Sequence, residues 1–418
     1  MPTQHAADLS DFEGFWTAPI AERAAGFAAL REAGGVPWFE QPPSAFLDPG
    51  AGFYALTRLD DVVEASRTPG VYQSGSGATS VADIPPEFNE FFGSMINMDN
   101  PRHARLRRIV SRGFTPRRLT DLAGVVDRTV ASIVDDLVAA GECDAVETIS
   151  ARLPLTVICE MMGVPASQYR FVYDRTNVIL GAADPEYVPD SGNIVEALLG
   201  AGAELAELMR EMGRARVADP TDDVTSALVN AEIDGERLTP DELASFFILL
   251  VVAGNETTRN AISWGLQLLT ENPDQRAAWL ADPDGVTHGA VEEIVRWASP
   301  VIYMRRTLSE PTVLGGTEMP AGSKVALFYW AANRDPQYFT EPDRFDVHRS
   351  PNPHVGFGGP GPHFCLGAHL ARREIAAVFT ELLRRTPEVA VTGEPRRLRS
   401  MFINGIKHLP VAVSPTGR

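Results

Sequence analysis

The sequence predicts a mainly α-helical fold with a minor β-sheet region. Apolar residues recur with helical spacing over several long segments, including 122–138, 194–217, 242–269 and 287–297. Strand-like segments are short, at 53–57, 312–314 and 324–329. The last two are joined across Gly315-Gly316 and Pro320-Ala321-Gly322, a pattern typical of hairpins. Because there is no internal repeat and no low-complexity linker, we expect one domain over residues 1–418.

The composition narrows the class of protein. The 418 residues carry a formal net charge of −18, which argues against nonspecific nucleic-acid binding. The N-terminus has no signal pattern, and the longest apolar run, 246–253, is too short to cross a bilayer, so we expect no membrane anchor. The three cysteines, Cys143, Cys159 and Cys365, are too few for a disulfide framework and fit a reducing compartment. We therefore expect a soluble, cytoplasmic protein and a monomer.

Cys365 is the most informative residue, because a loop rich in glycine and proline, 357–362, precedes it and a helical pattern follows it. A helix N-terminus favours the thiolate, and glycines allow backbone N–H groups to turn towards the sulfur. The alternative is a buried structural cysteine, which is the commoner fate of a free thiol. The specific loop favours a thiolate metal ligand. Zinc is disfavoured because Cys143 and Cys159 have no second ligand at zinc spacing.

A second motif, Ala253-Gly254-Asn255-Glu256-Thr257-Thr258, lies in the most apolar helical segment. Small Ala253 and Gly254 would let a flat cofactor or a small ligand approach the backbone. A threonine that bonds back to the preceding turn distorts a helix and opens a groove. Glu256 and Thr257 would form a proton relay there. The alternative is that both side chains face solvent.

Charged residues form two further patterns. Glu293 and Arg296 are three residues apart on one predicted helix face, and Arg344 is a candidate third member of a buried ionic cluster. His103 and Arg107 are four residues apart, and with Arg306 and His363 they would bind the carboxylates of an anionic ligand. The segment 101–120 holds seven arginines and no acid, which indicates a solvated helix face, a docking patch or an anion cradle.

Taken together, the order of these motifs resembles the heme-thiolate monooxygenases, the cytochrome P-450 superfamily, over most of the chain. The resemblance implies the cytochrome P-450 fold, heme b as cofactor and O2 as cosubstrate. It implies that Cys365 is the proximal iron ligand, that Glu256 and Thr257 deliver protons, and that Glu293, Arg296 and Arg344 form a structural triad. The cofactor-binding residues that it implies are His103, Arg107, Ala253, Gly254, Arg306, Phe357, His363 and Gly367.

One departure from the family pattern concerns the loop. Phe357 lies eight residues before Cys365, one more than in the shortest form of the motif. This length and Pro362 resemble the bacterial branch that hydroxylates sterol side chains and methyl-branched lipids near their termini. The resemblance implies an apolar substrate, such as a steroid, terpenoid, branched lipid or polyketide-like natural product. The pocket residues that it implies are Met95, Ile96, Met98, Leu249, Val301, Met304, Met401 and Phe402.

No segment resembles a flavin or iron–sulfur domain, so electrons would come from NAD(P)H through a separate ferredoxin reductase and ferredoxin. The arginines of 101–118, with Arg372 and Arg373, would form the docking face. The alternatives are a peroxide-dependent peroxygenase, in whose relatives the acid–alcohol pair is replaced, and a non-catalytic heme-binding sensor, which would not need that pair.

Overall fold

The computed structural model describes residues 5–43, 50–111, 116–189, 193–232, 235 and 237–413, with the backbone alone for 116–121. The architecture is mainly helical with small sheets, as predicted. In chain order the α-helices of the described residues are α1 Ile20–Ala33, α2 Leu59–Arg67, α3 Pro86–Gly93, α4 Arg102–Val110, α5 Pro116–Ala140, α6 Arg152–Met162, α7 Tyr169–Leu180, α8 Ile194–Ala218, α9 Val224–Val229, α10 Pro240–Glu271, α11 Pro273–Ala281, α12 Pro283–Ala298, α13 Tyr329–Ala332 and α14 Ala368–Arg385.

The strands build one five-stranded sheet and three smaller ones, within the part of the chain that the structure describes. The five-stranded sheet has the order β1-β2-β8-β5-β3, and the smaller sheets are β4-β12-β9, β6-β7 and β10-β11. The strands are β1 Trp38–Phe39, β2 Phe53–Leu56, β3 Tyr72–Gln73, β4 Glu142–Asp144, β5 Met304–Leu308, β6 Thr312–Leu314, β7 Thr317–Met319, β8 Lys324–Leu327, β9 Ala390–Val391, β10 Arg396–Arg397, β11 Ile406–His408 and β12 Pro410–Ala412.

The predicted long helices correspond to α5, α8, α10 and α12. Their ends agree within about two residues, except that α5 and α12 begin one turn or more before the predicted start. A hairpin forms within the predicted segment. Strand β6 turns back across Gly315-Gly316 to pair with β7, whereas β8 pairs with β5 and β2. The reason is burial: all four residues of β8 are buried, so the strand lies inside the main sheet, while β6 is partly exposed.

Helix α10 is the central element of the fold. It has 32 residues, so it is about 48 Å long. It begins with a capping box, in which Thr239 Oγ1 accepts from the Glu242 N–H at 3.1 Å and Glu242 Oε2 accepts from the Thr239 N–H at 3.0 Å. Its apolar residues belong to the large core cluster that also contains side chains of α5, α6, α12 and α14. The buried helix therefore gives the site a rigid wall.

The connection between α7 and α8 is fastened to the smaller sheets by an ionic network. His408 on β11 places Nδ1 2.6 Å from Asp144 Oδ2 and Nε2 2.6 Å from Glu186 Oε1. Neighbouring Lys407 pairs with Asp184 Oδ1 at 2.7 Å. Desolvation lowers the pKa of His408, but the hydrogen bonds with Asp144 and Glu186 outweigh it, so the net pKa is raised. The network therefore stabilises the charged form of the His408 imidazole.

The described helices include none that is both long and apolar enough to cross a membrane.

Candidate functional site

A deep cavity lies between α10 and the loop that carries Cys365. It contains about 1480 Å³ of empty space, including the part open to solvent. Side chains of α10, α14, the 356–367 loop and β5 line it, together with α6, α4 and the segment before α4. Helix α10 and the cysteine loop therefore face one shared space.

The loop before α14 presents the thiol of Cys365 to this cavity. The Cys365 N–H donates to the Phe357 carbonyl at 3.0 Å, and Gly358 has a φ of 87°, which favours glycine. A Cβ on Gly361 would lie 2.2 Å from the Ser66 carbonyl oxygen, so the loop packs directly on the backbone of α2. Helix α14 begins three residues after the cysteine. Local packing therefore fixes where the sulfur points.

Burial raises the pKa of the Cys365 thiol, although the Gly367 N–H and the charges of Arg107 and Arg372 act in the opposite direction. This desolvation opposes the predicted stabilisation of the thiolate by the helix N-terminus. A metal ion bound to the sulfur would supply the missing stabilisation, since coordination deprotonates a thiol. The described residues contain no cluster of three or more histidine, cysteine or carboxylate side chains suited to a metal. Cys365 would thus be a lone protein ligand.

The predicted cationic residues converge on one side of the cavity. His103, Arg107, Arg306 and His363 all line it. The His103 and His363 rings lie 4.2 Å apart between centroids, and Arg107 Nη2 donates to the Phe364 carbonyl at 2.7 Å. Desolvation, followed by the charges of Arg306, His103 and Arg107, lowers the pKa of His363 to about 2. Both imidazoles are therefore disfavoured as cations, and the positive charge rests on the two arginines.

This cationic side fits an anionic ligand. The pKa of His103 is lowered, mainly by desolvation and then by Arg107. Its Nε2 atom is buried and has no hydrogen-bond partner among the described residues. An unsatisfied buried polar atom is unfavourable unless a ligand or water completes it. Carboxylates of a bound organic cofactor would both neutralise the arginines and satisfy His103.

Helix α10 forms the opposite wall with small and hydroxylated residues. Ala253, Gly254, Thr257 and Thr258 line the cavity, as predicted for the first three. Thr257 Oγ1 donates to the Ala253 carbonyl at 2.8 Å, which is the predicted back-bond to the preceding turn. A Cβ on Gly254 would lie 3.2 Å from the Ile158 side chain of α6, so a larger residue at position 254 would crowd Ile158.

Glu256 is placed differently from Thr257. Its side chain is fully buried and does not line the cavity. It forms an ion pair with Arg259, and its Oε1 accepts from Asn260 Nδ2 at 2.9 Å. Arg259 in turn donates from Nη1 to Asn177 Oδ1 of α7 at 2.8 Å. Neither the solvent-facing alternative nor a direct contact of this carboxylate with the groove describes the structure.

The structural triad needs one correction. Glu293 and Arg296 form a fully buried bidentate pair, at 2.7 Å for Nε–Oε2 and 2.8 Å for Nη2–Oε1. The third member is Arg349, whose Nε lies 3.1 Å from both Glu293 oxygens. Arg344 is instead 54% exposed and pairs with Glu341. It lies on a surface turn, and only its backbone carbonyl accepts from Arg296 and Arg349.

Five of the eight predicted substrate-pocket residues line the cavity: Met95, Ile96, Leu249, Val301 and Met304. The other three do not line it. Met98 is buried in the large core cluster beside the cavity wall. Met401 and Phe402 pack on the cluster around Tyr303, with the Phe402 and Tyr303 ring centroids 5.6 Å apart. An apolar residue that is close in sequence to site residues lines the cavity only when its side chain is on the side of the strand or helix that faces the cavity.

Sequence reasoning missed Glu374 of α14, which also lines the cavity. It is 3% exposed and forms no ion pair in the part of the chain that the structure describes. Desolvation raises its pKa to about 8. Its sequence context, Arg372-Arg373-Glu374, has the charge pattern of an exposed helix face, so no sequence signal indicated a buried acid.

Comparisons with known proteins agree with this arrangement. The family model described as "Cytochrome P450" matches residues 192–283 and 285–395. A methyl-branched lipid omega-hydroxylase of Mycobacterium tuberculosis is 48% identical over 96% of this chain and 93% of its own length. A steroid C26-monooxygenase of Rhodococcus jostii is 39% identical over 92% of this chain and 80% of its own length.

A solved structure of a Mycobacterium marinum cytochrome P450 in complex with pseudoionone matches with a TM-score of 0.93. The two sequences are 41% identical, and the match covers 97% of this chain and 98% of the solved one. The fold, the cavity and its single thiol define a heme-thiolate protein. The chain belongs to the cytochrome P450 family, and it is a monooxygenase.

Proposed function

We propose that this P450 hydroxylates an apolar substrate with a branched alkyl chain near the end of that chain, with electrons from a separate ferredoxin. One observation carries the proposal: a cavity that combines the Cys365 thiol with an apolar wall. That wall includes Met95, Ile96, Leu249, Val301 and Met304. The names of two relatives, a methyl-branched lipid hydroxylase and a steroid monooxygenase, support the substrate class.

The residues around the cavity would hold heme b. Cys365 would bind the iron, and His103, Arg107, Arg306 and His363 would bind the propionates. Ala253 and Gly254 would lie over one face of the ring, while Phe357 and Gly367 would flank the thiolate; a Cβ on Gly367 would meet nothing within 4 Å. When bound, a thiolate-ligated heme activates dioxygen and favours O–O cleavage. The protein contributes ligation, orientation and protons.

Thr257 would act as the proton-handling hydroxyl. Its Oγ1–H is held by the Ala253 carbonyl, which leaves the oxygen lone pairs directed to accept from a donor in the cavity. Replacing Thr257 with Ala should lower product formed per NAD(P)H consumed and raise peroxide release. Thr258→Ala is the matched control, because Thr258 also lines the cavity. Unchanged coupling in Thr257→Ala would contradict this role, and efficient turnover with peroxide alone would favour a peroxygenase.

Glu256 would supply protons to Thr257 once its ion pair with Arg259 opens. Glu256→Gln should then slow oxygen-dependent turnover while leaving substrate binding in the ferric protein unchanged. An equal loss of binding would assign Glu256 a purely structural role.

The substrate class can be tested by optical titration of the ferric heme-loaded protein. Methyl-branched fatty acids and sterols with intact side chains should shift the heme spectrum, and unbranched fatty acids of equal length are the control. Product analysis should then show a hydroxyl group at or next to the chain terminus. A response to macrocyclic compounds alone, with none to either expected class, would refute the proposed substrate.

The ferredoxin would dock near exposed arginines on the side of the Cys365 loop. Arg108 and Arg373 are exposed, whereas Arg112 and the side chains of Arg117 and Arg118 lie outside the described residues. Reversing Arg108 or Arg373 to Glu should slow reduction by ferredoxin without changing substrate affinity. Arg384→Glu, at the far end of α14, is the control, since its side chain is 65% exposed and pairs with Glu381. Equal rates in all variants would refute this docking face.

A further inference from the structure

Two consecutive glutamates of α12 serve different partners. Glu293 belongs to the buried triad, whereas Glu292 faces the Cys365 loop and α14. The Glu292 carboxylate accepts two hydrogen bonds from Arg372, from Nε at 2.5 Å and from Nη2 at 2.8 Å. The side chains of Glu292 and Arg372 are 15% and 28% exposed. A bidentate, partly buried pair of this kind has a defined geometry, unlike an ordinary surface ion pair.

The same carboxylate also holds the start of the loop. His354 Nε2 lies 3.0 Å from Glu292 Oε2. The Gly356 N–H donates to His354 Nδ1 at 3.1 Å, so Nδ1 is the acceptor and the ring hydrogen is on Nε2, directed at Glu292. Glu292 is therefore bonded to residues on both sides of Cys365, at positions 354 and 372.

Arg372 connects the Glu292 carboxylate to the loop residues around the Cys365 thiol. Its guanidinium carbon lies 4.3 Å from the centroid of the Phe357 ring, a cation–π contact. The Phe357 carbonyl accepts the Cys365 N–H at 3.0 Å, and Phe357 itself lines the cavity. The Arg372 charge also interacts electrostatically with Cys365. A chain of contacts thus runs from Glu292 through Arg372 and Phe357 to the cysteine.

We propose that Glu292 is a positioning residue for the thiolate, because it holds the Arg372 guanidinium against Phe357 and so keeps a positive charge beside the Cys365 sulfur. The inference rests on the proposed heme function. It also removes Arg372 from the docking face expected from the sequence, because this side chain is already engaged. Arg373, the next residue, is exposed and remains available.

The sign of a redox shift tests the proposal. The midpoint potential of the heme-loaded protein should become more negative in Arg372→Gln, because a positive charge near the iron favours the reduced state. Removing the negative charge of Glu292 should, by its direct field alone, make the potential more positive. If Glu292 acts by holding Arg372, then Glu292→Gln releases that arginine to solvent, and the potential moves in the negative direction, as in Arg372→Gln.

The design needs a charge control and a conservative variant. Arg373→Gln removes an exposed charge one residue away and should shift the potential less than Arg372→Gln. Arg372→Lys keeps a charge but cannot form the bidentate, stacked geometry. It should also move the potential negatively, and it tests the proposal even when Glu292→Gln does not fold. Thermal unfolding of each variant separates a loss of stability from the redox effect.

The outcomes are distinct. A more positive or unchanged potential in Glu292→Gln, or a wild-type potential in Arg372→Lys, would overturn the positioning role. Failure of the wild-type protein to show thiolate ligation in its ferrous carbon monoxide spectrum would instead overturn the proposed function. Glu292→Gln and Arg372→Gln combined should shift the potential no further than Arg372→Gln alone, because both changes act through one guanidinium.

Discussion

Glu374 gives the sharpest test of the cavity's electrostatics, because it is a buried acid that forms no ion pair with another described residue. Burial raises its pKa from the ordinary value of 4.5 to about 8. Near neutral pH the native protein therefore keeps Glu374 protonated, while the unfolded chain ionises it. A group whose pKa is raised on folding favours the native state most below its unfolded pKa, and that contribution declines as pH rises towards the folded pKa.

The magnitude follows from the linkage relation. Between pH 4.5 and pH 8 the contribution of Glu374 to the free energy of unfolding falls by about 1.4 kcal/mol per pH unit. At pH 7 the accumulated loss is about 3 kcal/mol. Glu374→Gln removes the titration and preserves the size of the side chain. We therefore expect the free energy of unfolding of the variant, relative to that of the wild type, to rise by about 3 kcal/mol between pH 4.5 and pH 7.

The assay is chemical denaturation of the heme-loaded wild type and Glu374→Gln at half-unit steps from pH 4.5 to pH 8.5, at one protein concentration. A constant offset between the two proteins reports hydrogen-bonding differences and is not the predicted signal. The prediction concerns the slope of the difference against pH. A difference in the free energy of unfolding that stays flat across this range would refute the reasoning that Glu374 is buried and protonated.

Three further predictions follow from the corrected triad, the histidine network and the loop packing. Arg349→Ala should lower the free energy of unfolding by about 3 kcal/mol, because Glu293 is fully buried, whereas Arg344→Ala should stay within about 0.5 kcal/mol in the same denaturation assay. His408→Gln should lose stability relative to the wild type at low pH, and the gap should close as pH rises through the raised pKa of His408; a gap that widens with pH would contradict the network. Gly361→Ala should lower heme content per chain, measured by absorbance, whereas Gly70→Ala, whose Cβ would meet nothing within 4 Å, should not.

The sequence located the site because its chemistry rests on residue types that are unusual in their local context. Cys365 stands in a loop of glycines and prolines, and His103 and Arg107 share one helix face, so their convergence on one cavity could be predicted. The segment Ala253-Gly254 likewise marked the part of α10 that faces the cavity. These signals depend on helix geometry and ligand chemistry, which are local properties of the chain.

The remaining features depend on contacts between distant segments. Arg344 and Arg349 lie in the same irregular stretch and have the same side chain, so only the path of that stretch past α12 decides which one reaches Glu293. The burial of Glu374 depends on α14 packing against α10, and no property of its own segment distinguishes it from an exposed acid. Long-range packing therefore accounts for the predictions that were wrong and for the acid that was missed.

The placement of Glu256 constrains how the proposed proton relay can work. Residues 253, 254, 257 and 258 share the cavity side of α10, whereas Glu256, about 100° from Thr257 around the helix, lies on a side turned away from it. Thr257 lines the cavity, and Glu256 is turned towards Arg259, which α7 holds through Asn177. A buried carboxylate is stabilised by that partner, so its release requires compensation elsewhere. Proton delivery by Glu256 is therefore coupled to the contact between α10 and α7, and a substitution at Asn177 should alter turnover although that side chain is not on the cavity wall.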